Sequence, residues 1–228
     1  MNFLKAKDYQ KHAKVQDLMG LKLCEILKNL EISHFKKVFE FGCGRGEFSD
    51  KLSKIITFDE YLKNDILDYP DNLNVEIFDM NTLATQILSK QKFDLITSNA
   101  SLQWLDLKRI ILSLRNMLNQ NGILLLSTFA KQNLKEIKQS TGFGLNYFSL
   151  NELEQIFKVY FNEVKITQEL VELSFDNALD VFRHLKLSGV NSLGFYPLNK
   201  GFLKEFEEKF QNKLTYHPVF ILCKNDIK

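Results

Sequence analysis

The chain has 228 residues, 45% of them hydrophobic and 25% charged, a composition that excludes intrinsic disorder and collagen-like repeats and fits a single core. Lys and Arg number 30 against 28 Asp and Glu, so the net charge of +2 carries no broad electrostatic footprint for duplex nucleic acid. Cys24, Cys43 and Cys223 share no metal-ligand spacing and cannot all pair, and no segment has the length of a membrane span or the apolar run of a signal peptide. The expectation is a cytoplasmic protein with reduced thiols, no metal site and no membrane partner.

In chain order, the apolar residues Val15, Leu18, Met19, Leu23, Ile26, Leu27 and Leu30 recur at helical spacing and predict a helix from Tyr9 to Leu30. A short apolar run from Lys37 closes at Gly42, and a helical stretch follows from Glu47 to Lys54. The segments 55–58 and 73–78 predict two further strands, ending at Asp59 and Asp79. A short helix is expected over 82–90, a strand over 93–97, and a helix over 107–118 stopped by Asn121-Gly122. Residues 123–129 form a continuous apolar run, as in a strand covered on both faces. Strands alternating with helices in this way imply a doubly wound, mostly parallel α/β sheet. Later segments predict helices over 151–160 and 177–187, a strand pattern within 161–173, and a closing strand over 214–223 whose Pro218 favours an edge position.

The sequence Glu40-Phe-Gly42-Cys-Gly44-Arg-Gly46 joins the first strand to the next helix, so backbone N–H groups gather in the crevice beyond the strand ends, where glycine lets a ligand approach. A dinucleotide fingerprint would place its last glycine at position 47, which is Glu, so a pyrophosphate is poorly supported. Glu40 favours an amino-bearing ligand. Asp59, 17 residues after Gly42, suits ribose hydroxyls, with Glu60 as the alternative, and Asp79-Met80 could flank an adenine. A nucleoside carrying an amino acid and a sulfonium, S-adenosylmethionine, satisfies all of these groups. Cys43 has no base near it in sequence and reads as a small filler.

Residues 40–46 resemble the first motif of the class I S-adenosylmethionine-dependent methyltransferases. Tyr9-Gln-Lys-His-Ala-Lys-Val-Gln16, Ser98-Asn-Ala-Ser-Leu-Gln-Trp104, Leu124-Leu-Leu-Ser-Thr-Phe129, Phe182-Arg-His-Leu-Lys-Leu-Ser-Gly-Val-Asn191 and Leu214-Thr-Tyr-His217 resemble a narrower family, the malonyl-carrier-protein O-methyltransferases of biotin synthesis. The resemblance implies one domain over 1–228 with a Rossmann-like seven-stranded sheet, an N-terminal helix and a C-terminal helical and strand cap. Within it, 1–35 would be a helical lid, 36–130 the cofactor-binding half and 131–228 the substrate-side half.

The resemblance further implies methylation of the free carboxylate of a malonyl thioester on acyl carrier protein, with S-adenosylhomocysteine as the product of the cofactor. A carboxylate is already a nucleophile, so no acid–base residue is required and positioning suffices. The candidate cofactor residues are Glu40, Gly42, Cys43, Gly44, Gly46, Asp59, Asp79, Met80 and Ser98. On the substrate side stand Tyr9, Gln16, Trp104, Arg183, Lys186 and Tyr216. The planar fork of Arg183 suits a carboxylate, whereas Lys186 offers only a point charge. Lysines of the first helix and of 131–138 offer a weak dock for an acidic carrier. A base-modifying enzyme is disfavoured because Ser98-Asn-Ala-Ser stands where such enzymes carry Asn-Pro-Pro and an aromatic residue, so no nucleic-acid partner is expected. The competing readings are methylation of another small carboxylic acid or metabolite, or a non-catalytic scaffold of the same fold; the oligomeric state is left open.

Overall fold

The computed structural model of the chain describes residues 14–188 and 198–226. In order come α1 (Lys14–Lys28), β1 (His34–Phe41), α2 (Glu47–Leu52), β2 (Thr57–Asp65) and β3 (Val75–Ile77), then β4 (Phe93–Ser98), α3 (Leu107–Met117), β5 (Leu118–Phe129), α4 (Lys135–Thr141) and α5 (Leu150–Lys158). The remainder is β6 (Glu163–Gln168), β7 (Val171–Ser174), α6 (Ala178–Leu187), α7 (Lys200–Phe210), β8 (Lys213–Tyr216) and β9 (Pro218–Lys224). Short 3₁₀ turns occupy Met80–Thr85, Ile87–Lys90 and Leu102–Trp104.

The chain divides into two compact units. The described residues of 16–128, 149–168 and 219–226 make the larger one, whose seven-stranded sheet has the order β3-β2-β1-β4-β5-β9-β6. The pairs β1–β2, β1–β4, β2–β3 and β4–β5 are parallel, and β6 runs antiparallel to β9. This is the doubly wound, mostly parallel sheet expected. Its centre is apolar because both faces are covered: Val38, Phe39, Phe41, Leu95, Ile96 and Leu124 are each 0% exposed. Each such side chain contributes about 1.5–3 kcal/mol by leaving water. A Ser149–Glu152 capping box starts α5. Among the described residues no helix is long and apolar enough to cross a membrane.

The described residues of 129–148 and 169–218, with Lys14 and Val15, make the second unit. Here β7 pairs antiparallel with β8, Val171 opposite Tyr216. Asn177 caps α6 by accepting from Asp180 N at 3.0 Å, and Phe182 packs against Phe202 and Phe206 of α7 at 5.5 and 5.2 Å.

Several expectations shift. The helix expected over 82–90 is instead the pair of 3₁₀ turns. Asn121-Gly122 does not stop a helix: α3 passes directly into β5, and the two residues lie inside that strand, Asn121 in the left-handed region (φ 61°). The closing strand is two strands in different sheets, broken at His217. Nor is β9 an edge: it lies between β5 and β6, and Pro218 is tolerated because it is the first residue of the strand. The division between the units falls after residue 128, and β6 and β9 are strands of the larger unit's sheet.

Candidate active site

Gly42, Gly44 and Gly46 all have positive φ (64°, 55° and 92°), which explains why the turn after β1 is written in glycine. Their surroundings differ. A Cβ on Gly42 would lie 2.2 Å from Ser101 Oγ, so the protein itself fills that space. A Cβ on Gly44 would meet nothing nearer than Glu47 Oε2 at 3.9 Å, so this peptide has an open side. The turn is held from β2: Cys43 N donates to Asn64 O at 3.0 Å and Gly44 N to Asp65 Oδ2 at 2.8 Å.

Glu40, the next-to-last residue of β1, is buried, and its Oε2 accepts from Ser49 Oγ at 2.6 Å and from the Tyr61 hydroxyl. Burial raises this carboxyl to about 7, against the pull of those hydrogen bonds and of Lys63, its cross-strand neighbour. Burial also pushes the Cys43 thiol well above its usual range, so the small-filler reading fits and a nucleophilic role does not.

The two ribose candidates lie near the start of β2. Asp59 is the third residue of β2, exposed, with Oδ1 3.6 Å from His34 Nε2, and Glu60 pairs with Lys37 at 2.6 Å. Both sit near the amino end of a strand that continues to Asp65, whose neighbour Asn64 lies opposite Phe41. The carboxylate at the end of β2 beside the glycine turn is Asp65, which is buried. Phe78 N donates to Asp65 O at 3.1 Å, which brings Asp79 to the adjoining strand end. Asp79 Oδ1 accepts from Asn81 N at 2.9 Å as it caps the 3₁₀ turn, and Met80 is buried beside it. Ser98 is also buried, its hydroxyl donating to Phe41 O at 2.7 Å, so it ties β4 to the start of the glycine turn.

Of the substrate-side candidates, Tyr9 lies outside the described residues. Gln16 is in α1, where its carbonyl accepts from Asn99 Nδ2 at 2.9 Å, and Trp104 is half-buried in the 3₁₀ turn after β4. Arg183 and Lys186 are exposed on α6, with Arg183 Nη1 2.9 Å from Asp180 Oδ1. Tyr216 is buried on β8, its hydroxyl 2.8 Å from His184 Nε2. Sequence reasoning missed Asp65, Asn72 and Ser101, which meet the glycine turn from three other segments.

A model of the methyltransferase domain matches residues 11–160. A malonyl-(acyl-carrier protein) O-methyltransferase of Calditerrivibrio nitroreducens is 34% identical over 98% of this chain and 95% of its own length. One from Haemophilus influenzae is 34% identical over 95% of this chain and 89% of its own. Among solved structures, the YcgJ protein of Bacillus subtilis superposes with a TM-score of 0.62 at 13% identity, covering 90% of this chain and 98% of that one. A SAM-dependent methyltransferase of Archaeoglobus fulgidus gives 0.56 at 16% identity, covering 92% and 94%. The structural likenesses establish the fold, and the full-length sequence matches establish more: this chain belongs to the malonyl-(acyl-carrier protein) O-methyltransferase family, within the class I methyltransferases.

Proposed function

We propose that this chain transfers a methyl group from S-adenosylmethionine to the free carboxylate of a malonyl thioester on acyl carrier protein, leaving S-adenosylhomocysteine and the malonyl methyl ester that primes pimeloyl formation in biotin synthesis. The observation that carries the reading is family membership over nearly the whole chain, joined to a glycine turn whose middle peptide is open on one side.

The site fits the cofactor. The open face of Gly44 admits the amino-acid end close to the backbone, and a buried acid at Glu40 suits the neighbourhood of an ammonium. Asp65 takes the ribose role first assigned to Asp59, since its carboxylate lies at the ligand-side end of β2, and Asp79-Met80 keep the adenine role. When bound, S-adenosylmethionine supplies an electrophilic methyl on a sulfonium, which is all the activation an ionised carboxylate requires.

What remains for the protein is to hold the malonyl group in line and keep it ionised. Arg183 is assigned the carboxylate, because its fork offers two parallel donors and does not titrate. Tyr9, Gln16, Trp104, Lys186 and Tyr216 are the further substrate-side candidates.

The test is incubation of the purified protein with S-adenosylmethionine and either malonyl carrier protein or malonyl coenzyme A, with the methyl ester read by mass spectrometry. Ester on the carrier thioester is expected, together with restored growth without biotin in a strain lacking its malonyl methyltransferase. Bound S-adenosylmethionine with no ester on either thioester would defeat the assignment of substrate.

A further inference from the structure

The parallel strands β2 and β3 are joined by residues 66–74 alone, shorter than the dozen or more residues such a crossover usually takes, and no helix is present in it. The connection folds onto the glycine turn. Asn72, 8% exposed, donates from Nδ2 to Gly44 O at 2.9 Å and to Cys43 Sγ at 3.3 Å. Its Oδ1 accepts from Lys63 Nζ, which fixes the orientation of the amide. Asp71 pairs with Arg45 at 3.1 Å, and the Arg45 guanidinium stacks over Tyr69 at 5.2 Å. With Gly44 N bound by Asp65, both the N–H and the C=O of Gly44 are held by β2 and the segment that follows it.

We propose that Asn72 is a positioning residue for the methyl donor: its amide holds Gly44 in the left-handed conformation that keeps the turn open before the cofactor arrives. This rests on the reading of residues 42–46 as the donor site. A peptide free to leave φ 55° would swing its N–H and C=O out of place, and binding would have to supply the ordering. Asn72 acts through the glycine turn, at Gly44 and Cys43, so it affects capture of the donor and leaves the methyl-transfer step alone.

The experiment compares the parent with Asn72→Ala and Asn72→Asp by calorimetry with S-adenosylmethionine and by steady-state turnover. Asn72→Ala is expected to raise both the Kd and the KM for S-adenosylmethionine about tenfold, with kcat at saturation within about twofold of the parent. Asn72→Asp is the same size but turns an acceptor toward Gly44 O, so it should weaken binding at least as much as Ala, an ordering that a space-filling role would reverse. If Asn72→Asp does not fold, the KM and kcat of Asn72→Ala decide the matter. Parental Kd in either folded variant, or a loss confined to kcat, overturns the proposal. A parent that binds no S-adenosylmethionine overturns the donor-site reading itself and the positioning role with it.

Discussion

The two units treat their buried polar groups in opposite ways. In the second unit they close on one another: Glu136 accepts from Thr215 N at 3.0 Å and Thr215 Oγ1 at 2.6 Å, Asn133 Oδ1 takes His217 N at 3.1 Å, and His184 meets Tyr216 at 2.8 Å. In the first, Asp65 and Asn72 converge on the backbone of Gly44, Ser98 holds Phe41 O just before the turn, and one peptide is left open on one side. Mutual satisfaction specifies a fold, whereas convergence on an open glycine specifies a binding site. Tyr216 shows the difference. Its side chain is buried and its hydroxyl lies 2.8 Å from His184 Nε2.

The largest expected effect breaks the open side directly. Gly44→Val adds a β-branched side chain at φ 55° and fills the vacant face, so binding of S-adenosylmethionine should fall more than about a hundredfold by calorimetry. Next is Glu40. Its carboxyl keeps a proton up to about 7 in the folded protein, whereas the unfolded chain releases it near the ordinary value of 4.5. Between these values the native state binds more protons than the unfolded state, so raising the pH removes stability. Relative to Glu40→Gln, the parent should lose about 3 kcal/mol from about pH 4.5 to 7 in urea unfolding, and a parallel pH dependence would contradict the raised carboxyl.

Asp65→Ala should weaken S-adenosylmethionine binding by about 1.5–3 kcal/mol as a charged acceptor is lost. Arg183→Ala sharpens the comparison from the other unit. Because the guanidinium is exposed and shares a bond with Asp180, kcat/KM on malonyl carrier protein should fall about tenfold, and Arg183→Lys less, with donor binding unchanged. Parental turnover in both variants would return Arg183 to the surface. The smallest expected effect is that of Asp59→Ala, which should leave donor affinity within about twofold; a loss matching that of Asp65→Ala would reverse the assignment at β2.

Those two aspartates also mark where the sequence is legible. β1, β4 and β5 declare themselves because central parallel strands are buried on both faces and must be apolar. β2 reads Thr-Phe-Asp-Glu-Tyr-Leu-Lys-Asn-Asp, with only its last two residues buried, so nothing in its hydropathy says it continues past Asp59. The glycines are legible because a positive φ selects a residue type, but that Gly42 is packed against Ser101 and Gly44 is open depends on contacts 59 residues apart in one case and on an absence in the other. Asn72 had no signal: an asparagine among Asp, Pro and Leu reads as an ordinary turn.

The position of β9 bears on how the protein is made. A chain synthesised from its amino terminus forms β1 to β5 long before residues 218–224 exist, yet β9 is the strand that fills the gap between β5 and β6. Until then β5 presents a bare, apolar edge and β6 has no neighbour on which to pair. The nascent protein therefore passes through a state whose sheet ends at the apolar β5 instead of at β6, a form exposed to strand-by-strand association with other chains. Shortening the chain before residue 218 would make that state permanent.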